Sequence, residues 1–320
     1  MKSAKPAMIA DSVNRRMERL MPALTPLGVV LGFALPGVFI NLRPLVSWLF
    51  GFITLSGALK LRAAEFGATM RRPMPILAFF VSTHAIMPLC AMLAVSPFFG
   101  GNPDTVSGFI LLFSGPTAVS SFIWVTMFSG DRALCLTLIL LDTLLAPLII
   151  PGTVSLLMGA KIAMNFGGIA VSLILMVVIP TIIGVSINEA SRSRIPALVC
   201  PFFNPLSKIC LILVIAANSS PIARLIRFDD PQIPKIAIIC ILLSAAGFVV
   251  SKLAAVVTRC GNEKSATLFF SGGLRNISAV TTIAVSFFPQ AAALPALLGI
   301  VFQQTISAIM GKLLVKKAGS

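Results

Sequence analysis

The sequence predicts an all-α membrane protein, with ten transmembrane helices arranged as two inverted five-helix repeats. Three observations predict it. The 320 residues are 57% hydrophobic and only 11% charged, with a mean hydropathy of +1.00, far from the composition of a water-soluble domain. The apolar residues fall into ten runs, each about the length that crosses a bilayer, joined by short polar connections. A short pattern also recurs at equivalent places in the two halves.

The first run, 21–40, follows a basic, polar N-terminal stretch and reads as a retained span rather than a cleaved signal. The second, 44–59, lies between Arg43 and Lys60, and the third, 73–99, opens after Arg71-Arg72 and holds the sole histidine, His84. The fourth, 105–129, is interrupted by Gly115-Pro116, and the fifth, 133–158, carries Asp142 midway along. The sixth and seventh are 162–187 and 202–223; Lys208, a few residues into the seventh, reads as an interfacial anchor, and Asn218 as a helix-packing residue. The eighth, 234–251, stops at Lys252, and the ninth, 265–288, contains Gly272-Gly273 and then Arg275. The tenth, 290–311, closes before Lys312. No soluble domain fits between them. Residues 1–320 form one transmembrane domain, with repeats at 21–160 and 162–317.

The net charge of +15 does not point to nucleic acid, because the basic residues sit singly or in pairs between apolar runs. They report orientation instead. Of the 25 Lys and Arg, only Arg43, Lys161, Arg224, Arg227 and Lys235 fall on the side opposite the N-terminus, and Lys208 and Arg275 lie within spans. The positive-inside rule then places both termini in the cytoplasm, in a multi-pass protein of the inner (plasma) membrane. The six cysteines form no CxxC pair and read as free thiols among apolar neighbours; no metal or cofactor is expected.

"SGPTAVSS" at 114–121 parallels "SGGLRNIS" at 271–278, and "SLLMGAK" at 155–161 parallels "SAIMGK" at 307–312. Each match sits at the same place in a set of five spans. Five is odd, so the second set enters the membrane upside down, the arrangement of a secondary transporter with its site near the midplane. Pro116 removes an N–H, and paired glycines permit non-helical angles, so helices four and nine should both break. Backbone groups freed there must be buried in protein or line a wet cavity. A half-helix that starts after each break presents unpaired N–H groups and a partial positive charge, which suit an anion. Ser114, Thr117, Ser120 and Ser121 crowd the first break; Ser271, Ser278, Thr281 and Thr282 crowd the second. Singly, such hydroxyls in membrane helices bond their own backbone; clustered at two breaks they lean toward a site.

Arg275 is the sharpest feature. A charge near a helix centre costs roughly 2.5–3.5 kcal/mol on insertion scales, so it needs a partner or a cavity. Asp142 is the one deep carboxylate available, and an Asp142–Arg275 pair is expected. A lone membrane histidine such as His84 is more often a packing residue than a proton carrier.

These residues resemble the bile acid/sodium symporter family. The carrying pieces are "AIMP" at 85–88, "GPTA" at 115–118, "APLIIPG" at 146–152 and "GGLRN" at 272–276. The resemblance implies a core of spans 3–5 and 8–10, with spans 4 and 9 crossing at their breaks, and a panel of spans 1, 2, 6 and 7. It also implies sodium ligands at positions that here read Thr83, Cys135, Ile139, Ser271 and Arg275. Asn276 is kept, but a glutamate and a glutamine are replaced by Ser271 and Arg275, and Ile139 has no ligand atom. Sodium requires hard oxygens, so a guanidinium here is expected to stand in for the ion.

The expected function is a secondary active or facilitative transporter that moves a small organic anion, a carboxylate, by alternating access without sodium. Ser114, Thr117, Ser120, Ser121, Arg275, Asn276 and Ser278 are its candidate binding residues. Asp142, His84 and Arg275 are the candidate charge or coupling residues, with proton coupling and plain facilitated diffusion both open. The alternatives are a sodium-coupled symporter of bile-acid type, a carrier of another solute, and an ion channel. An enzyme is not expected: there is no HExxH motif and no catalytic pair of aspartates.

Overall fold

The computed structural model describes residues 4–61, 69, 73–159, 165–223 and 230–315. Several basic residues behind the orientation lie outside them: Lys2, Arg62, Arg71, Arg72, Lys161, Arg224, Arg227, Lys316 and Lys317. So do the last two residues of the 155–161 match.

The described residues form an all-helical membrane protein. Seven helices have the length and apolar composition to cross a bilayer. These are α2 (Pro36–Ala58), α3 (Pro73–Phe99), α6 (Arg132–Met158), α7 (Phe166–Ala190), α8 (Arg194–Ser219), α9 (Gln232–Val257) and α12 (Gln290–Leu314). Ahead of them runs α1 (Ala4–Ala34). The other four helices come in two short pairs: α4 (Pro103–Ser114) with α5 (Ser121–Met127), and α10 (Asn262–Gly273) with α11 (Ile277–Phe287).

Several boundaries differ from the sequence expectation, each for a local reason. The run expected at 21–40 ends as a helix at Ala34, because Pro36 disfavours helical angles at Leu35, which takes φ −127 and ψ 54. The seventh run begins at Arg194 rather than 202, since Pro196 sits in the first helical turn, where its missing N–H is not needed. Two π-helical stretches, Val81–Ile86 in α3 and Ile174–Val178 in α7, were not foreseen.

By packing, the chain divides into two units, Met1–Ala63 with Ser172–Leu225, and Ala64–Val171 with Ile226–Ser320. Runs 1, 2, 6 and 7 thus separate from 3–5 and 8–10, the grouping the resemblance implies, except that the start of α7 falls with the second unit. In the first unit α1 packs on α8, and α8 on α2. Gly32 allows this approach: a Cβ there would stand 2.4 Å from the Ala216 carbonyl oxygen. Lys208 is not a bare anchor, since its Nζ donates to Asn14 Oδ1 within the same unit. In the second unit α9 packs against α10 and α12, and α4 lies between α3 and α6. Gly108 of α4 comes so close to the start of α12 that a Cβ would stand 2.3 Å from the Ala292 carbonyl oxygen.

Candidate functional site

Both expected interruptions are present, and both lie in the second unit. Helix α4 starts on an Asn102 cap, whose side chain accepts from Thr105 N at 3.2 Å, with Pro103 following as the first helical residue. It stops at Ser114 because Gly115 turns extended, at φ −59 and ψ 151, and Pro116 has no N–H to continue the ladder. Helix α10 stops at Gly273, where Leu274 is extended at φ −101 and ψ 123, and α11 restarts on Asn276, whose side chain accepts from Ala279 N at 3.3 Å.

The freed backbone groups of one interruption are satisfied by the other. Thr117 and Arg275 form an antiparallel β-bridge, the only β pairing among the described residues. Asn276 N donates to the Pro116 carbonyl at 2.7 Å, and Ala118 N to that of Leu274 at 3.1 Å. The Thr117 hydroxyl donates to the Ser271 carbonyl at 2.6 Å. Two side chains complete the set. Asp142 Oδ2 accepts from Thr117 N at 2.6 Å. Gln303 of α12 spans the peptide groups of Arg275, accepting from its N–H at 2.9 Å and donating to its carbonyl at 3.0 Å. A buried backbone group left unpaired costs about 1–3 kcal/mol, so these contacts let two breaks exist inside an apolar unit. Sequence reasoning missed Gln303; its one signal was an amide pair, Gln303-Gln304, in a run otherwise nearly apolar.

The charges are arranged differently from the expectation. Among the described residues the ion pair of Asp142 is with His84, Nε2 to Oδ1 at 2.8 Å, and not with Arg275. One carboxylate oxygen faces His84 and the other accepts from the Thr117 N–H. Arg275, its backbone fixed by the bridge and by Gln303, sends Nη2 to the Thr83 carbonyl at 3.4 Å and feels Asp142 only through space. His84 sits in the π-helical stretch of α3, stacked on Phe80 at 5.5 Å, and borders an open apolar groove of about 420 Å³ with Leu148 and Leu156.

The remaining candidates sort by exposure. Ser114, Thr117 and Ser121 are buried, as are the expected ion positions Thr83, Cys135, Ile139 and Ser271. Ser114, Thr281 and Thr282 bond carbonyls of their own helices, which is the packing role such residues commonly have. Cys135 Sγ lies 3.6 Å from Ser271 Oγ and 3.7 Å from Ser121 Oγ, so this face of α6 meets the interruptions as expected. Ile139, one turn on, is buried without a polar atom. Ser120, Asn276 and Ser278 are the candidates left partly exposed.

The family model of the sodium bile acid symporter family matches residues 47–226. An uncharacterized protein YbaS of Bacillus subtilis is 39% identical over 295 residues, 92% of this chain and 96% of that one. The chain belongs to the sodium bile acid symporter family. As a member it is a multi-pass membrane transporter and not an enzyme. More distant members include the uncharacterized sodium-dependent transporter YocS of B. subtilis, 22% identical over 91% of each chain. Another is the probable sodium/metabolite cotransporter BASS2, chloroplastic, of Oryza sativa subsp. japonica, 25% identical over 85% of this chain and 65% of its own length.

Proposed function

We propose that this symporter-family member carries a small organic anion by alternating access and does so without sodium, with Arg275 providing the fixed positive charge. The observation that carries the proposal is the contact of Arg275 Nη2 with the Thr83 carbonyl. A main-chain carbonyl is the kind of hard oxygen a sodium ion needs, and here a guanidinium uses it. Ser271 adds a hydroxyl where the family resemblance implies a carboxylate, and Cys135 and Ile139 bring no hard oxygen. A second positive charge beside Arg275 is repelled, whereas an anion is attracted.

In this proposal the chain crosses the membrane ten times, as inverted repeats 21–160 and 162–317, with both termini in the cytoplasm of a cell bounded by the inner (plasma) membrane. The interrupted pairs α4–α5 and α10–α11 serve as the crossing elements of the core. Ser120, Asn276 and Ser278, the partly exposed polar residues at the breaks, meet the substrate first; Ser114, Thr117 and Ser121 shape the breaks behind them. Coupling, if the cycle is driven, runs through protons at the His84–Asp142 pair; an uncoupled cycle is plain facilitated diffusion. The competing proposal is sodium-coupled transport, the activity that YocS and BASS2 carry in their names.

Uptake of radiolabelled monocarboxylates into proteoliposomes under imposed sodium or proton gradients tests this. The expected result is uptake unaffected by replacing sodium with potassium, and lost in Arg275→Gln. Accumulation driven by sodium alone overturns it.

A further inference from the structure

Leu148, Gly152 and Leu156 recur every fourth residue along α6 and therefore share one face. The two leucines are 64% and 83% exposed. Between them Gly152 leaves a notch, since a Cβ there would meet nothing within 4 Å. The apolar groove of about 420 Å³ runs here, along about 12 Å of helix length. Its opposite wall is α3, where Val81, His84 and Ala85 all belong to the π-helical stretch Val81–Ile86. Short π-helical turns inside α-helices frequently mark functional sites. Two separate local features, a π turn and a missing side chain, thus line one cavity.

The lining says what belongs in it. Apart from His84 and Thr153 it consists of hydrocarbon side chains and the bare backbone of Gly152. Both helices are of membrane-crossing length, so the groove opens on acyl chains and not on water. The His84 side chain is 8% exposed and pairs with Asp142 at 2.8 Å. Both its ring nitrogens are buried, so it offers the groove ring carbon and no polar atom. A polar headgroup finds little to bind here, and a polymethylene chain finds matching walls. In lipid the driving force is packing: an unfilled notch forfeits dispersion contacts along its lining, and a chain that fits restores them. The gap in the leucine row is one residue wide, which suits a flexible chain better than a fused ring system.

We propose that the notch holds one acyl chain of a bilayer phospholipid, laid along α6 between Leu148 and Leu156 and against the His84 ring. The site lies apart from the two interruptions and goes beyond the transport proposal, because it holds for any cargo and any coupling ion. It brings a lipid chain to within one side chain of the buried Asp142 carboxylate.

The test uses the full chain in phosphatidylcholine vesicles doped with a phosphatidylcholine that carries a diazirine in one acyl chain. After irradiation the adducts are mapped by mass spectrometry. Leu93 of α3 and Leu242 of α9, 61% and 63% exposed and not part of the groove lining, report ordinary boundary lipid. Adducts at 81–85 and 148–156 should exceed those at the two control leucines about fivefold. Gly152→Leu fills the notch with its own side chain and should cut the groove adducts about tenfold, with Leu93 and Leu242 labelled as before. Its Tm should stay near that of the unaltered chain, because the space at Gly152 is open. Gly152→Ala repeats the test with a smaller side chain and a smaller cut. Equal labelling of groove and control leucines, or groove labelling untouched by Gly152→Leu, overturns the proposal. Protection of the groove together with a dimer mass assigns it to a second copy and overturns it as well.

Discussion

His84 Nε2 stands 2.8 Å from Asp142 Oδ1, and the other oxygen of that carboxylate holds the Thr117 N–H at 2.6 Å. One buried carboxylate therefore ties the π-helical stretch of α3 to the first interruption.

Asp142→Leu should be strongly destabilising, by about 3–5 kcal/mol, since it strands His84 and an N–H in an apolar interior. Asp142→Asn keeps an oxygen for Thr117 N and should cost less, about 1–2 kcal/mol. Thermal unfolding in detergent ranks the two; equal losses would mean that the Thr117 contact contributes nothing.

Gln303→Leu removes both side-chain contacts to the Arg275 peptide groups. A loss of about 2–4 kcal/mol is expected, from one or two buried backbone groups left unpaired. Hydrogen exchange at the Arg275 amide should speed up while exchange in α9 stays slow.

Two glycines make a matched pair. Gly108→Ala drives a methyl to 2.3 Å from the Ala292 carbonyl oxygen, whereas Gly152→Ala in α6 meets nothing within 4 Å. The first should lower stability by more than about 2 kcal/mol. The second should be neutral or gain up to about 1 kcal/mol, since alanine is the better helix former. Tm values for the two variants check both signs.

Ser120 and Ser278 are partly exposed, while Ser114 and Thr281 bond their own helices. Ser120→Ala and Ser278→Ala should each raise KM for uptake roughly fivefold, the loss of about one hydrogen bond, with Tm unchanged. Ser114→Ala and Thr281→Val should leave KM alone. An equal effect from all four would remove the distinction between access and packing.

Much of this was legible in the residues. Gly115-Pro116 and Gly272-Gly273 located both interruptions, because missing donors and missing Cβ atoms act locally. Arg275 announced itself as a charge inside an apolar run. The pairing of charges was not legible: three ionisable groups were visible, but which two touch depends on how α3 and α6 pack, and periodicity carries no such information. Gln303 escaped for a similar reason, since its partner lies 28 residues away in the chain. The early end of α1 was readable from Pro36 and was missed.

The bridge between Thr117 and Arg275 also has a biosynthetic side. The Thr117 hydroxyl and the Ser271 carbonyl it bonds are 154 positions apart. A ribosome delivers the first interruption to the bilayer long before its counterpart exists, so a nascent first half must wait with open peptide groups. Stalled or truncated chains that end before the second interruption are thus left with an unfilled seam, one that a quality-control protease could recognise.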